Sequence, residues 1–191
     1  MPFTDGFPTP SGKLEFYSER AFEDGLDPIP GYTPSQATAP DEEHPLALIA
    51  PASHWFLNTI FANKPDLLKK AGGPRVTLHP DDARERGLDT GDTARVFNTR
   101  GEFQAEVVVA DTVRPGVVAS TKGHWLKNVR GRANVNATVQ ERDSDMGGGA
   151  VYHDNRVEIE RVGSVPPDDQ PRDQARFASR GGAAAVQLRA R

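Results

Sequence analysis

The sequence predicts a mainly β fold, a closed barrel of roughly six short strands with one or two short helices and extended termini. Three observations carry this expectation. Strand-like runs of β-branched and apolar residues follow one another from "LALIAP" to "RVEIERV". Turn chemistry separates them, notably in "TRGE" and "RPGV", where Gly and Pro favour backbone angles that end a strand. One segment, "HPDDARERG", places a helix start and a helix stop within a single short stretch.

In chain order, residues 1–45 come first and are rich in Pro and Gly, as in "GFPTPSGKLEFYSE" and "GLDPIPGYTPSQATAPDEEHP". Within them only "KLEFYSERAFEDG" has the composition to order, as a short strand running into a turn or helix. Such a segment cannot bury enough apolar surface to fold alone and is expected to lie across another body. "LALIAP" at 46–51 has the form of a buried strand, and "RVTL" is the next. Pro80 then fits the first position of a helix, where its missing N–H costs nothing. Asp81 and Asp82 follow in the first turn, where carboxylates favour the positive end of the helix dipole. That position accounts for both acids without a catalytic or metal-binding role. Gly87 ends the helix as a left-handed stop.

"LDTGDTARVFN" gives a turn and a strand, "TRGEFQAEVVVA" a hairpin turn and its partner, and "VRPGVV" a Pro-Gly turn into another strand. The last strand, "RVEIERV", comes only after the long stretch "GHWLKNVRGRANVNATVQERDSDMGGGAVYHD". Beyond Ser164 the chain is poor in large apolar residues, and a disordered tail is expected over 164–191. Loops of this length are unusual between short strands and are where binding is expected.

Charge and composition exclude several classes. The formal charge is −4 over 191 residues. The segment 164–191, with three Asp and five Arg, carries +2, so the remainder carries −6 with its basic residues scattered. No nucleic-acid footprint is present. The chain has no cysteine, which excludes disulfides, Cys-ligated zinc, iron–sulfur clusters and a thiol nucleophile within it. The histidines at 44, 54, 79, 124 and 153 have no close metal-binding spacing. No apolar run approaches membrane-spanning length, and the first residues lack a basic-then-apolar leader pattern. The expectations are a cytoplasmic location, no direct membrane insertion and no metal ligand in this chain.

Seven stretches, "TPSGKLEFYSE", "LIAPASHWFLNTIFAN", "VTLHPDDARERGLDTGD", "VRPGVV", "KGHW", "ANVNAT" and "DMGGGAVYHDNRVEI", occur in an order that is familiar. Through them residues 6–162 resemble the C-terminal dinucleotide-binding domain of the molybdopterin oxidoreductases, the dimethyl-sulfoxide-reductase and formate-dehydrogenase-like superfamily. The resemblance implies a six-stranded double-psi β-barrel that binds molybdopterin guanine dinucleotide jointly with earlier domains. Those domains would supply the ligand to molybdenum or tungsten, often an iron–sulfur cluster, and most of the substrate funnel. It further implies that residues 1–45 belong against a preceding domain and that 46–163 form the barrel. The chain would then be a fragment, a split subunit or a truncated gene product, with the catalytic domains or subunit of the same oxidoreductase as partner and no redox turnover alone.

The candidate binding residues sit in the long loops. Ser53, His54, Asn58 and Thr59 offer polar groups directly after a buried strand, and the resemblance places this loop against the pterin and diphosphate. Family members often carry an arginine near Ser53–His54; this chain has none there. On residues alone, Trp55 and Phe56 also read as core and His54 as a surface residue. In "KGHW", Lys122 can balance a phosphate, Gly123 allows close backbone approach, and His124 and Trp125 bring flat rings; Trp125 equally suits a plug at a barrel end. Asn136 offers a donor and an acceptor to a guanine or pterin edge, or serves as a turn cap. Tyr152 and His153 match a polar pair that faces the pterin in the family. Gly147–Gly149 then let the chain pass tightly over the barrel, with Asp145 closing the turn. A stand-alone barrel acting as an interaction module is the competing reading. A self-cleaving decarboxylase is not favoured, since the single Gly-Ser bond, Gly163–Ser164, falls after the last strand.

Overall fold

Alternation along each strand decides which side chains form the core. The computed structural model describes residues 3–32, 34–35, 39, 41–144 and 147–162; Asp145, the Gly163–Ser164 bond and the tail expected over 164–191 lie outside them. Six strands are present: β1 (Leu46–Ile49), β2 (Arg75–Leu78), β3 (Thr93–Phe97), β4 (Glu102–Val109), β5 (Val117–Ser120) and β6 (Arg156–Arg161). Leu46 and Leu48, Val76 and Leu78, Ala94 and Val96, Phe103 and Val107, Val118, and Val157 and Ile159 all point inward to one core. The period of two that the strand-like runs show is therefore the period of burial.

The strands close into a barrel in the order β1-β5-β2-β4-β3-β6. β1–β5 and β2–β4 pair in parallel, and the other four neighbours are antiparallel. A parallel neighbour cannot be reached by a tight turn, so the chain must cross the barrel between the two members of each pair. The long connection after β1 lies within the β1–β5 crossing, whereas the one after β5 leads to β6, on the other side of β1 in the closed barrel. The architecture is the double-psi β-barrel.

Three short helices decorate it: α1 (Glu19–Glu23), α2 (Pro65–Ala71) and α3 (Pro80–Glu85). Ahead of α1 the expected strand is absent. The Glu15 carboxylate instead accepts from the Ser11 N–H at 2.8 Å, and the Ser18 hydroxyl oxygen caps α1 by accepting from the Ala21 N–H. α2 escapes sequence analysis because it buries no side chain and so shows no apolar stripe. In α3, Pro80 and both acids take their expected places, and Gly87 has φ +61°. The cap, however, is His79, whose Nδ1 accepts from the Asp81 N–H at 3.2 Å.

Asp82 does more than complement the helix dipole. It is buried, and its Oδ2 accepts from the Gly116 N–H at 2.8 Å, fixing the Pro-Gly turn that feeds β5. Arg86 completes the attachment of α3. It donates through Nε and Nη2 to the two Glu158 carboxylate oxygens, at 2.5 and 3.0 Å, and through Nη1 to the Asp82 carbonyl.

Strand directions then determine which loops meet. β1 and β5 run parallel, so the segments after them, 50–64 and 121–134, leave from the same end. β6 is antiparallel to β1 and to β3, which brings the segment before β6 and the turn of the β3–β4 hairpin to that end as well. The Gly116 turn lies at the opposite end.

Candidate functional site

The mouth of the barrel is built from the loop 50–64, the loop 121–134, the short 3-10 turn Val135–Thr138 and the segment 150–155. The first two loops continue the β1–β5 ladder past the strand ends. Ala52 bridges Lys122 in parallel, and the Lys122 N–H donates to the Pro51 carbonyl at 3.0 Å. From there the first loop makes a tight reversal in which Leu57 and Ile60 exchange both backbone hydrogen bonds. Asn58 and Thr59 are exposed at its tip, and Asn58 takes φ +52°, a left-handed conformation that Asn tolerates better than most residues.

Gly123 meets its expected close approach, but the approaching group belongs to the protein. It adopts φ +101°, and a Cβ there would stand 2.1 Å from the Asn58 carbonyl oxygen. Two residues on, the Trp125 indole N–H donates to the Thr59 carbonyl at 2.8 Å. Trp125 is neither a buried plug nor a bare stacking ring: it is 36% exposed, with the Lys127 ammonium 5.0 Å from its ring centre. Phe56 is buried as core, whereas Trp55 is exposed and packs edge-on against His54. Ser53 is half-buried, with its hydroxyl oxygen accepting from the Trp55 N–H at 3.3 Å, and His54 is exposed.

His124 differs from the other candidates. It is buried against the Phe56 ring, at 5.5 Å between centres, and lies 3.3 Å from the Thr121 hydroxyl. Burial holds its imidazole below the usual value of 6.5. The neutral ring is a packing element of the loop, and its neighbours Lys122 and Trp125 carry the accessible groups.

The "NVNAT" stretch resolves into a cap and a free amide. Asn134 is the cap: its Oδ1 accepts from the Asn136 N–H at 3.0 Å, while its Nδ2 donates to the His124 carbonyl at 2.7 Å. That leaves Asn136 exposed, and among the described residues nothing hydrogen-bonds its side-chain amide. Thr138 is fully buried, donating to the Val135 carbonyl and accepting from Asn155 Nδ2, both at 2.9 Å. Asn98, in the hairpin turn, donates to the Thr138 carbonyl at 2.8 Å and to Asn155 Oδ1 at 3.1 Å. Gly101 sits so close that a Cβ would be 2.6 Å from the Ala137 carbonyl oxygen.

Sequence analysis singled out Asn136 and missed Asn98, Asn128, Asn134 and Asn155. The available signal was the recurrence of Asn in loops that must cross one another, where an amide can satisfy two strands of backbone together.

The glycine triplet is a turn. Asp143 bridges Ala150, the Ser144 N–H donates to the Gly149 carbonyl at 2.7 Å, and the Ser144 hydroxyl oxygen accepts from the Gly149 N–H. A Cβ on Gly148 would meet open space, so no tight passage over the barrel occurs here; φ +59° at Gly148 is what requires glycine. Beyond the turn, His153 reaches the barrel end, where its Nδ1 lies 3.5 Å from the Ala50 N–H as acceptor. Tyr152 is exposed and packs edge-on against His153.

All the candidates except His124 therefore present accessible or half-buried groups at one end of the barrel. Lys122 brings positive charge, Asn136 an uncommitted donor and acceptor, and Trp125 and Tyr152 partly exposed rings. This donor set fits a ligand that combines an anionic link with flat, polar-edged rings. Among the described residues no group of three or more His, Asp or Glu is placed to hold a metal ion, and no helix is long and apolar enough to cross a membrane.

Comparison with known proteins spans the barrel from β1 to the start of β6. A family model described as "Molydopterin dinucleotide binding domain" matches residues 46–156. A probable oxidoreductase of Bacillus subtilis, YoaE, is 39% identical over 160 residues, which are 84% of this chain and 23% of that protein. The dimethyl sulfoxide reductase DmsA of Escherichia coli is 33% identical over 178 residues, 84% of this chain and 22% of that protein. The chain thus spans less than a quarter of the length of these relatives. Among solved structures, acetylene hydratase from Pelobacter acetylenicus superposes with a TM-score of 0.64 at 20% identity, over 82% of this chain and 24% of that one, a likeness of fold.

Proposed function

This chain belongs to the molydopterin dinucleotide binding domain family, and from that premise we propose that its loop-bearing barrel end positions the molybdopterin guanine dinucleotide of a larger molybdenum- or tungsten-dependent oxidoreductase. The observation that carries the proposal is the convergence of three separate loops on one mouth, inside the region that the family model matches. When bound, the cofactor supplies two-electron redox chemistry at its metal. The residues here bind and orient. Lys122 and the polar loop 53–59 face the diphosphate, Asn136 reads a ring edge, and Tyr152 with His153 closes the rim beside the root of that loop, at Ala50. The metal's ligand and the substrate funnel belong to other domains or to a partner subunit of the same oxidoreductase.

Residues 3–32 support the same reading. Leu14, Phe16, Tyr17, Phe22, Ile29 and Tyr32 are all exposed, six large apolar side chains left uncovered within one short segment. We assign this strip to the contact with the preceding domain.

The test is direct titration of the chain with molybdopterin guanine dinucleotide. Asn136→Ala removes an amide whose own fold holds no claim on it. It should therefore weaken binding by about 1–3 kcal/mol and leave the melting temperature unchanged. A wild-type chain that does not take up the dinucleotide, alone or reconstituted with its catalytic domains, refutes the proposal.

A further inference from the structure

We propose that the loops 50–64 and 121–134 form one preassembled clasp, in which Trp125 is a positioning residue acting through its indole N–H and not a platform for a ring of the cofactor. The inference rests on the reading of this mouth as the dinucleotide site, and it changes what the most conspicuous aromatic residue there does.

Four ties join the two loops along their length. The Ala52–Lys122 bridge starts the clasp. Gly123 then lies under the Asn58 carbonyl, so closely that no other residue fits without moving one loop. The Trp125 indole donates to the Thr59 carbonyl at 2.8 Å, and the Asn128 Nδ2 donates to the Ala62 carbonyl at 3.2 Å. Every tie ends on backbone of the first loop, so the arrangement fixes its path whatever its side chains do.

That path needs fixing. Asn58 and Phe61 both take left-handed angles, φ +52° and +70°. A non-Gly residue there, and an aromatic one above all, holds such a conformation only when its surroundings impose it. Phe61 is 47% exposed, with the Lys64 ammonium 5.7 Å from its ring centre. The second loop is the element that supplies the constraint. Trp125 spends its one donor on this contact and has Lys127 beside its ring, an arrangement suited to holding a neighbouring chain. A mouth held in this way presents Ser53, His54 and Lys122 in fixed positions before any ligand arrives, which lowers the ordering cost of binding.

Two substitutions separate the donor from the ring. Trp125→Phe keeps an aromatic ring and removes the N–H; Trp125→Gln removes the ring and keeps an N–H of similar reach. Hydrogen exchange is followed in the full chain at the Ile60 and Ala62 amides, which donate within the tip, and binding is followed by titration with molybdopterin guanine dinucleotide. The expected result is about fivefold faster exchange and about fivefold weaker binding for Trp125→Phe, the effect of one lost hydrogen bond, with Trp125→Gln close to wild type in both. The reverse pattern, with Phe tolerated and Gln defective, overturns the proposal in favour of ring stacking. Gly123→Ala is an independent variant that leaves Trp125 in place. It should accelerate the same amides, and unchanged exchange there also overturns the clasp. Should the wild-type chain bind no dinucleotide, the functional reading of the mouth fails, while the exchange measurements still decide the clasp.

Discussion

Replacing Thr138 by valine tests how the crossing loops are held to the barrel. The substitution nearly preserves shape but removes a hydroxyl that donates to the Val135 carbonyl and accepts from Asn155 Nδ2, each at 2.9 Å. Thr138 is 0% and Asn155 2% exposed, so water does not readily replace either bond. Leaving a buried polar group unpaired costs about 1–3 kcal/mol, so two such groups cost about 2–6 kcal/mol. The added methyl returns about 0.8 kcal/mol of apolar burial, for a net loss of about 1–5 kcal/mol. For a domain of this size that lowers the melting temperature by roughly 10 °C. The assay is thermal and urea unfolding of Thr138→Val beside Thr138→Ser, which keeps both bonds and loses one methyl, at a cost of about 1 kcal/mol. Equal stability of Thr138→Val and wild type, or a serine variant as weak as the valine one, would refute the assignment of Thr138 as the buried tie between the Val135–Thr138 turn and the segment leading into β6.

Two further predictions concern stability. Asp82→Ala removes the acceptor for the Gly116 N–H and should cost about 1–3 kcal/mol. Asp81→Ala, an exposed residue that pairs with Arg84, should cost about 1 kcal/mol or less. Urea midpoints rank the two, and the opposite ranking would contradict the buried contact. His124 gives stability a pH dependence. Its imidazole is held by burial below the ordinary 6.5, so just below that pH the unfolded chain takes up a proton that the native one does not. Stability should therefore fall as the pH drops through 6.5 and level off once the lower native value is passed. His124→Phe should show a smaller loss of urea resistance between about pH 7.5 and about pH 5.5, a range that brackets the ordinary histidine titration. Identical losses in the two proteins would show that His124 does not carry the effect.

The sequence by itself determined much of this protein. "RVTL", "TARVF" and "RVEIER" become strands because branched side chains at alternate positions leave the backbone one efficient way to bury them. Pro80 and Gly87 bound their helix because the first lacks a donor and the second bears φ +61° without strain. These are local effects, complete within a few residues. Order among seven short motifs also carried the family, though no single one of them did.

Only the tertiary structure decided which strands are parallel, and hence which loops share an end. It alone showed that Asn134 caps and Asn136 is free, although the two lie one residue apart in "NVN". It showed that Asp82 reaches a turn far along the chain, and that the group lying against Gly123 is the Asn58 carbonyl. Each of these depends on a partner brought close by barrel closure. A glycine in the sequence announces room for a close neighbour, but what arrives is set by where the rest of the chain is already packed.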